Sequence, residues 1–423
     1  MMSSRMTTLL LLYIAIKAVV SNEIFKMNQL SDPSDDIKYR DNPTQKTTSE
    51  EHAMSNEPKF CTYKYSRKIY MICECKAKSK SDQISLAEIV KIMDKKYLSC
   101  YSLRFENFMF HVLKNMSFNA FKNLTQVHIK NCGIRKIEKS AFKSNSLFSG
   151  RNIQITIELN PIGNIEPGTF DVGKSLRLLA FRKNLNLGAE NILKVFNDLQ
   201  NKTVWNLEIA TCRVFLQELN KSFFESLRYS KIRSLKIEGN AFGSIASDAF
   251  EPLGVFLNNL RLRNFMDVKE DTFDVFHQLR TLEIGGVIIT TSAYTPNLHL
   301  HKTSGLNRLF IDMHNLRLSL NISGLKSLRQ LHLTNAMSYM YEGLYMDNVI
   351  KLMNTAKSLK QIDLSGNALY QYTEKDLCQM FENRTTLNIL ILKYNNFIHL
   401  PHCMFKAMYK LRIGSVNKFN NIY

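Results

Sequence analysis

Apolar residues return along this chain in a fixed internal order, L-x-x-L-x-L-x-x-N, every twenty-odd residues from about Leu124 to the end. The segments Leu359–Leu369 and Leu387–Phe397 carry the frame most completely. Inside each frame apolar and polar residues alternate, which predicts a short strand with one buried face and one solvent face. A period of this length predicts repeated units, each packing on its neighbours along the array.

The last position of the frame predicts a second regular feature. An Asn side chain can satisfy backbone groups where the chain leaves a strand, so stacked units should form a ladder of buried amides. Phe265, Val287 and Ala336 replace Asn, and the ladder should be interrupted there. We place the equivalent position at Cys132, Asn160, Asn184, Cys212, Asn240, Phe265, Val287, His314, Ala336, Asn367 and Asn395.

A further apolar frame, I-x-x-I-x-x-x-x-F, follows several of these positions. One example runs from Ile134 to Phe142 and another from Ile162 to Phe170, and a variant with Phe at its first position runs from Phe242 to Phe250. The bulky Phe is expected to fill the half of the core that lies behind the strands.

The two frames together resemble the extracellular leucine-rich-repeat superfamily. That resemblance implies an α/β solenoid, with a curved parallel sheet on the concave face and loops and short helices on the convex face. Leu359–Leu400 is similar to Toll-like receptor ectodomains. The front, where Cys73-x-Cys75 and Cys100 precede weaker repeats, resembles secreted arthropod leucine-rich-repeat proteins. The Toll-like resemblance implies a recognition protein, and neither resemblance defines a ligand.

Four segments are expected along the chain. Residues 1–21 are typical of a signal peptide, with Arg5 ahead of the apolar run Leu9–Val20. Residues 22–58 are polar and acidic, which predicts disorder. Residues 59–123 form a cysteine-containing cap, and residues 124–423 form about eleven repeats plus a truncated one. We expect no membrane span, which implies a secreted protein, or a receptor ectodomain if the chain is a fragment.

Cys61, Cys73, Cys75 and Cys100 cluster before the repeats. In a chain with a secretory signal they predict disulfides, and three connectivities are open. A stapled cap would cover the apolar end of the first coil. A zinc site is disfavoured because the cluster has no paired C-x-x-C spacing.

The other four cysteines fall into two groups. Cys132 and Cys212 occupy the Asn position of their repeats and are expected to be inert buried thiols. Cys378 and Cys403 lie in adjacent repeats, and the sequence leaves open whether they are bridged. His399 and His402 lie near Cys403, but without repeated ligand spacing we expect no metal there.

The chain has a formal net charge of +19. Among the strand positions predicted to face solvent the two signs are mixed, which disfavours a nucleic-acid partner there. The basic excess includes Lys59–Cys100, where a solvated surface and an anionic partner for the cap are alternatives. The basic strand positions are Lys130, Arg182, Lys183, Lys236, Arg261, Arg263, Arg308 and Lys393, and the acidic ones are Glu158, Glu208, Glu238, Glu283, Asp312 and Asp363.

Glycosylation signals leave the predicted concave strands free, as a binding surface requires. N-x-S/T sites occur at Asn115, Asn123, Asn201, Asn220, Asn321 and Asn383. Interfaces favour Arg and aromatic residues. The candidate ligand-binding residues are therefore Arg182, Arg261, Arg263, Phe310, His332 and Tyr394.

Catalytic motifs such as H-E-x-x-H, G-x-S-x-G and G-x-x-x-x-G-K-[ST] do not occur in the sequence. We therefore expect no enzyme, no cofactor and no metal. The predicted function is extracellular recognition of a protein or other ligand, with a Toll-like innate immune ectodomain as its specific version. The alternatives are a secreted structural or adhesion protein and a non-catalytic subunit of an extracellular complex.

Overall fold

The computed structural model describes most of the chain beyond the predicted N-terminal segments. The residues described are 61–66, 70–77, 85–93, 95–143, 153–269, 271–287, 305–314, 325–335, 344–382, 384–397 and 399–415. The predicted signal peptide and acidic segment, residues 1–58, lie outside them.

Within the described residues, the cap and the repeats together build one sheet of 15 strands. Its first two strands pair antiparallel and every later pair is parallel. The third strand already pairs in parallel with both neighbours. It lies one coil before Leu124, the residue from which the repeat frame is recognised in the sequence. Across the sheet the strands are β1 Cys61–Ser66, β2 Tyr70–Lys76, β3 Ser102–Glu106, β5 Gln126–Lys130, β7 Ile153–Glu158, β9 Ser175–Arg182, β10 Thr203–Ala210, β12 Lys231–Glu238, β14 Asn259–Arg263, β16 Thr281–Val287, β17 Arg308–His314, β18 Gln330–Thr334, β19 Gln361–Asp363, β20 Ile389–Ile391 and β21 Ile413–Ser415.

The segments between these strands form two small parallel sheets and short helices. The small sheets were not predicted; they form where the I-x-x-I frames of neighbouring coils run alongside each other. One sheet contains β4 Val112–Leu113, β6 Lys136–Ile137 and β8 Asn164–Ile165, and the other contains β11 Phe215–Leu219, β13 Ala241–Ile245 and β15 Phe265–Val268. The α-helices are α1 Leu86–Ile92, α2 Gly188–Asp198, α3 Lys221–Phe224, α4 Leu344–Thr355 and α5 Glu374–Phe381; 3-10 turns occur at Lys95–Ser99, Glu225–Leu227, Glu251–Leu253, Leu369–Gln371 and His402–Phe405.

The predicted asparagine ladder is present. Asn160 is 1% exposed, and its Oδ1 accepts hydrogen bonds from the N–H groups of Cys132 (2.9 Å) and Ile134 (3.3 Å). Its amide nitrogen donates to the carbonyls of Ile129 and Glu158. Asn184, Asn240, Asn367 and Asn395 are buried in the same way. The ladder therefore ties each coil to the next.

The ladder changes where the Asn is replaced. Cys132 and Cys212 sit fully buried in the vacant positions, as predicted. Phe265 is buried there too, and Asn264 beside it accepts a hydrogen bond from the Gly239 N–H at 2.9 Å. Ala336 lies outside the described residues.

Phenylalanine rings form a spine behind the long sheet, as the second frame predicts. Phe142 stacks on Phe170 with ring centroids 5.2 Å apart. Phe224 stacks on Phe196 at 5.8 Å and on Phe250 at 5.6 Å. All five rings are fully buried. The solenoid therefore has one continuous core rather than separate cores.

Disulfides close the first coil, which confirms the predicted cap. Cys75 is bonded to Cys61, and Cys73 is bonded to Cys100, with Cα atoms 5.9 Å apart. Residues two apart on a strand share a face, so each of the two β2 cysteines reaches its own partner. In the late repeats, Cys378 on α5 is bonded to Cys403.

Candidate functional site

The solvent side of the long sheet carries a continuous row of polar and aromatic side chains. Strand register sets residues of successive strands beside each other, so the row follows directly from the pairing. The residues before and after each of these side chains are mostly buried, as in the Leu260–Leu262 segment. We call this set the sheet row: Glu208 on β10, Lys236 on β12, Arg261 on β14, Glu283 on β16, Phe310 on β17, His332 on β18 and Asp363 on β19.

The first half of the sheet row is an ion-pair network. Glu208 pairs with Arg182 on β9 at 2.6 Å and with Lys236 at 2.9 Å. Lys236 also pairs with Glu238 at 2.7 Å, and Glu238 lies 3.0 Å from Arg261. These contacts fix the long side chains in defined positions on the sheet.

The network continues to the predicted arginine pair. Glu283 lies 3.3 Å from Arg261 and 2.8 Å from Arg263, so one carboxylate holds both guanidinium groups. A Cβ added to Gly285 on β16 would come within 3.3 Å of the Arg263 Nε. The missing side chain therefore gives Arg263 room to cross this strand. Arg182 and the arginine pair Arg261 and Arg263 belong to one network, a connection that the sequence did not predict.

Glu208 has an unusual electrostatic environment. Burial by itself raises the pKa of Glu208, but the hydrogen bond from Arg182 and the charges of Arg182 and Lys236 outweigh this effect. The pKa therefore lies below the ordinary value for glutamate. The charged carboxylate is favoured, and it keeps two cations in place.

The second half of the sheet row is aromatic. The rings of Phe310 and His332 lie 4.4 Å apart, and both side chains are partly exposed. His332 Nδ1 is 3.6 Å from the Asp363 carboxylate, and His332 Nε2 is 3.1 Å from the Gln361 amide nitrogen. Burial raises the pKa of Asp363, but hydrogen bonds from His332 and Ser365 bring it below the usual value. A pair of ring side chains, tilted by 32° to each other, thus adjoins the charged network.

Tyr394 is the predicted binding residue that the structure leaves apart from this row. It lies in the turn after β20, with a positive φ of 58° and 68% exposure. The row position on that strand is Ile391, which registers with Asp363. Tyr394 is a surface tyrosine beside the row rather than a member of it.

The described glycosylation signals lie outside the strands of the long sheet. Asn115, Asn123 and Asn201 are exposed. Asn220 is partly exposed, and its side chain caps α3 by accepting from the Ser222 N–H at 3.1 Å. Asn321 and Asn383 lie outside the described residues. The prediction that sugars leave the sheet surface free is therefore compatible with all four described positions.

Several bases of the cap have acidic partners. Lys64 pairs with Glu74 at 2.9 Å, and Lys76 lies 3.8 Å from Glu106. Lys78 and Lys80 lie outside the described residues. The ion pairs of Lys64 and Lys76 lower the positive charge that the cap offers to an anionic partner. Binding of such a partner stays a prediction.

The cysteines of the described part offer neither a metal site nor a reactive thiol. Glu374, Cys378 and Cys403 come close together, but the two sulfurs are bonded to each other and supply no thiolate. Burial raises the pKa of Cys132 and of Cys212 to about 12. Both thiols therefore stay protonated and inert at neutral pH.

Sequence reasoning missed the edge of the sheet where the strands begin. Trp205 on β10 is 44% exposed there, and the Arg233 guanidinium lies 4.0 Å from its ring centroid. It is the only tryptophan in the chain. An exposed Trp next to the strand frame is the signal that would have pointed to this edge.

Comparison with known proteins identifies the fold. No protein-family model matches the chain, and no curated protein matches it. The solved complex of TLR13 with ssRNA13 is similar over 79% of this chain and 49% of its own, with 19% identity and a TM-score of 0.51. This chain thus spans about half of that protein's length. Human 5T4 (14% identity, 57% and 81% covered, TM-score 0.40) and mouse RP105 with MD-1 (17%, 79% and 60%, 0.46) also match.

The fold is therefore a leucine-rich-repeat solenoid with an N-terminal disulfide cap, and it resembles Toll-like receptor ectodomains. At 19% identity the similarity concerns the fold and leaves the ligand open. Within the described residues, none of the helices has the length and apolar character needed to cross a bilayer.

Proposed function

We propose that this chain is an extracellular recognition module that binds a protein or other ligand through the sheet row. One observation carries the proposal. Strand register brings Arg261, Phe310 and His332, chosen from the sequence as separate candidates, onto one surface spanning β14 to β18.

The chemistry of this surface suits a protein partner. Arg and aromatic residues are enriched where interfaces carry most of their binding energy. The side chains stand on paired strands and are held by ion pairs and ring contacts, so ordering them on binding costs little entropy. The row contains both cations and carboxylates, which favours a partner with charges of both signs over a nucleic acid.

The more specific proposal is an innate immune ectodomain of the Toll-like kind. It draws on the fold similarity and on the Leu359–Leu400 pattern. Disulfides in the cap favour an oxidising compartment, and so a secreted protein or an ectodomain. A secreted adhesion protein and a non-catalytic subunit use the same fold and are alternatives to this version. In each of them the chain binds and does not catalyse.

The test is affinity capture with matched variants. The secreted protein is immobilised, extracellular fluid of the source organism is passed over it, and bound proteins are identified by mass spectrometry. The row variant R261A/F310A/H332A should bind the captured partner at least about 100-fold more weakly, because residues of this kind each contribute about 1–2 kcal/mol or more in interface centres and about 1.4 kcal/mol is a factor of ten in Kd.

The control variant R213A/F215A/H402A removes an Arg, a Phe and a His that are also exposed but lie off the long sheet. It should bind the partner as the unmodified chain does. Equal binding by the row variant, or an equal loss in both variants, rejects the sheet row as the site.

A further inference from the structure

A row of basic side chains follows the edge of the long sheet where its strands begin. Successive coils are joined there by backbone hydrogen bonds: the Arg280 N–H donates to the carbonyl of Asn258, that of Arg329 to Asn307, and that of Lys360 to Arg329, each at 2.8–2.9 Å. The same bonds continue from β12 to β21. We call the basic rim the residues Arg233, Arg280, Arg308, Arg329, Lys360 and Arg412.

Within the described residues, the basic rim has no acidic partner. All six side chains are exposed. Among the described residues none of the six has a carboxylate within 4.0 Å, whereas Arg182, Arg261 and Arg263 of the ion-pair network are all paired with glutamates. Arg233 contacts the Trp205 ring instead. The rim therefore keeps its positive potential, which the ion-pair network on the sheet does not.

The sequence around the rim contains no acidic residue to cancel this charge. The segments leading into β12, β14, β16, β17, β18, β19, β20 and β21 hold ten Lys or Arg and no Asp or Glu. The segments are 229–234, 256–259, 277–281, 305–308, 326–330, 357–361, 385–389 and 409–413, and their bases are Lys231, Arg233, Arg280, Arg308, Lys326, Arg329, Lys357, Lys360, Lys410 and Arg412.

We propose that the basic rim binds a linear sulfated polysaccharide. Neighbouring strands are about 4.8 Å apart, so the rim runs roughly 30 Å across eight strands as a narrow line of cations. An extended polyanion can follow such a line and release the counterions condensed on both chains. This site is a different surface from the sheet row, and it does not depend on the function proposed there.

The rim favours a glycan over a single-stranded nucleic acid. Binding of single strands relies on aromatic side chains on which successive bases stack. From 277 to 361 the rim segments hold four of the six rim residues and no Phe, Tyr or Trp. The exposed rings Trp205, Tyr229, Phe256 and Tyr409 lie toward the two ends of the rim. Charge without stacking platforms along the middle of the rim suits a ligand recognised by its sulfates. The disulfides also favour an extracellular compartment, where such glycans meet the protein.

Arg280, Arg308, Arg329 and Lys360 all lie in the rim segments that contain no Phe, Tyr or Trp. The rim variant is therefore built from these four bases.

The test compares two variants that lose the same charge. The rim variant is R280Q/R308Q/R329Q/K360Q. The control variant, R135Q/R213Q/K375Q/K406Q, removes four exposed bases from other parts of the surface. Circular dichroism and a thermal unfolding curve establish that both variants are folded.

The probe is a size-fractionated heparin oligosaccharide, with the desulfated oligosaccharide and a uridine oligonucleotide as competitors. Binding is followed by labelled-ligand anisotropy over a salt series. The fluorescence of Trp205, beside Arg233, gives a second readout without labelling. In the rim variant, affinity for heparin should fall about tenfold or more, and the slope of log Kd against log salt by about one for each charge removed.

The control variant should keep most of its affinity and its slope, and the desulfated oligosaccharide should compete poorly. The proposal is overturned if both variants lose affinity equally, since net charge would then explain the binding. It is also overturned if the oligonucleotide binds more tightly than heparin at equal salt and the rim variant abolishes that binding.

Discussion

At the residue scale, the fold depends on amides and carboxylates that satisfy several partners at once. Asn160 accepts two backbone N–H groups and donates to two carbonyls, all from its own coil or the preceding one. Removing such a side chain leaves buried backbone groups without a hydrogen-bond partner. The free-energy cost of each unpaired buried group is larger than the net contribution of an ordinary hydrogen bond to stability.

We therefore expect Asn160→Ala to lower the free energy of unfolding by about 3 kcal/mol. Urea unfolding followed by circular dichroism measures the change. Asn206→Ala, at an exposed amide with one hydrogen bond to the Arg177 carbonyl, should cost well under half as much. Equal losses for the two variants would mean that the ladder does not stabilise the coils.

Glu208 should make the stability of the protein depend on pH. Its folded-state pKa lies below the unfolded value of about 4.3 for glutamate. Its contribution is therefore fully present above that unfolded value and is lost as the pH falls through the lower folded value. Glu208→Gln should destabilise the protein by about 2 kcal/mol at pH 7 and by progressively less below about pH 4.

Unfolding free energies measured from pH 7 to pH 3 test this, with Glu218→Gln at an exposed carboxylate as the control. A deficit for Glu208→Gln that stays constant across this range would contradict the assignment.

The same residues mark how far sequence reasoning reaches. The Asn positions follow from a spacing visible in the sequence, because each amide acts on backbone groups whose positions the repeat sets. The pairing of Glu208 with Arg182 and Lys236 does not follow in this way. These ion pairs depend on which strands lie side by side and on the rotamers of long side chains. The local sequence pattern predicts neither.

At the scale of elements, the stack of phenylalanine rings joins neighbouring coils behind the long sheet. Phe224 lies between Phe196 and Phe250 and is fully buried. Phe224→Ala should lower the free energy of unfolding by about 4 kcal/mol, from lost burial and the cavity left behind.

Phe215→Ala removes the same atoms from a ring that is 58% exposed on β11, and should change stability by less than about 0.5 kcal/mol. The comparison is made by urea unfolding. A large loss for Phe215→Ala together with a small one for Phe224→Ala would mean that the rings do not form the core.

The small sheets were the part of this scale that the sequence did not predict. Strands such as Lys136–Ile137 have two residues, too few for alternation to be recognised. They form because each coil presents the same extended pair to the next, which is a consequence of stacking. These strands form because of neighbouring coils and not because of their own residue pattern, so the sequence of one coil does not predict them.

At the scale of the whole solenoid, repetition arranges side chains of one position into surfaces. One strand position becomes the sheet row, with paired charges and an aromatic end. Another becomes the basic rim, whose charges have no acidic partner within the described residues. The net charge of +19 did not distinguish these two surfaces. The register of the strands separates them, because it decides which charges neutralise each other.

Hydroxyl-radical footprinting of this chain, with and without its captured partner, tests recognition through the sheet row most directly. Phe310 and His332 are partly exposed in the free protein and should become protected in the complex, while Phe215 and His402 should react as before. Protection of Phe215 and His402, with Phe310 and His332 unchanged, would contradict recognition through the sheet row.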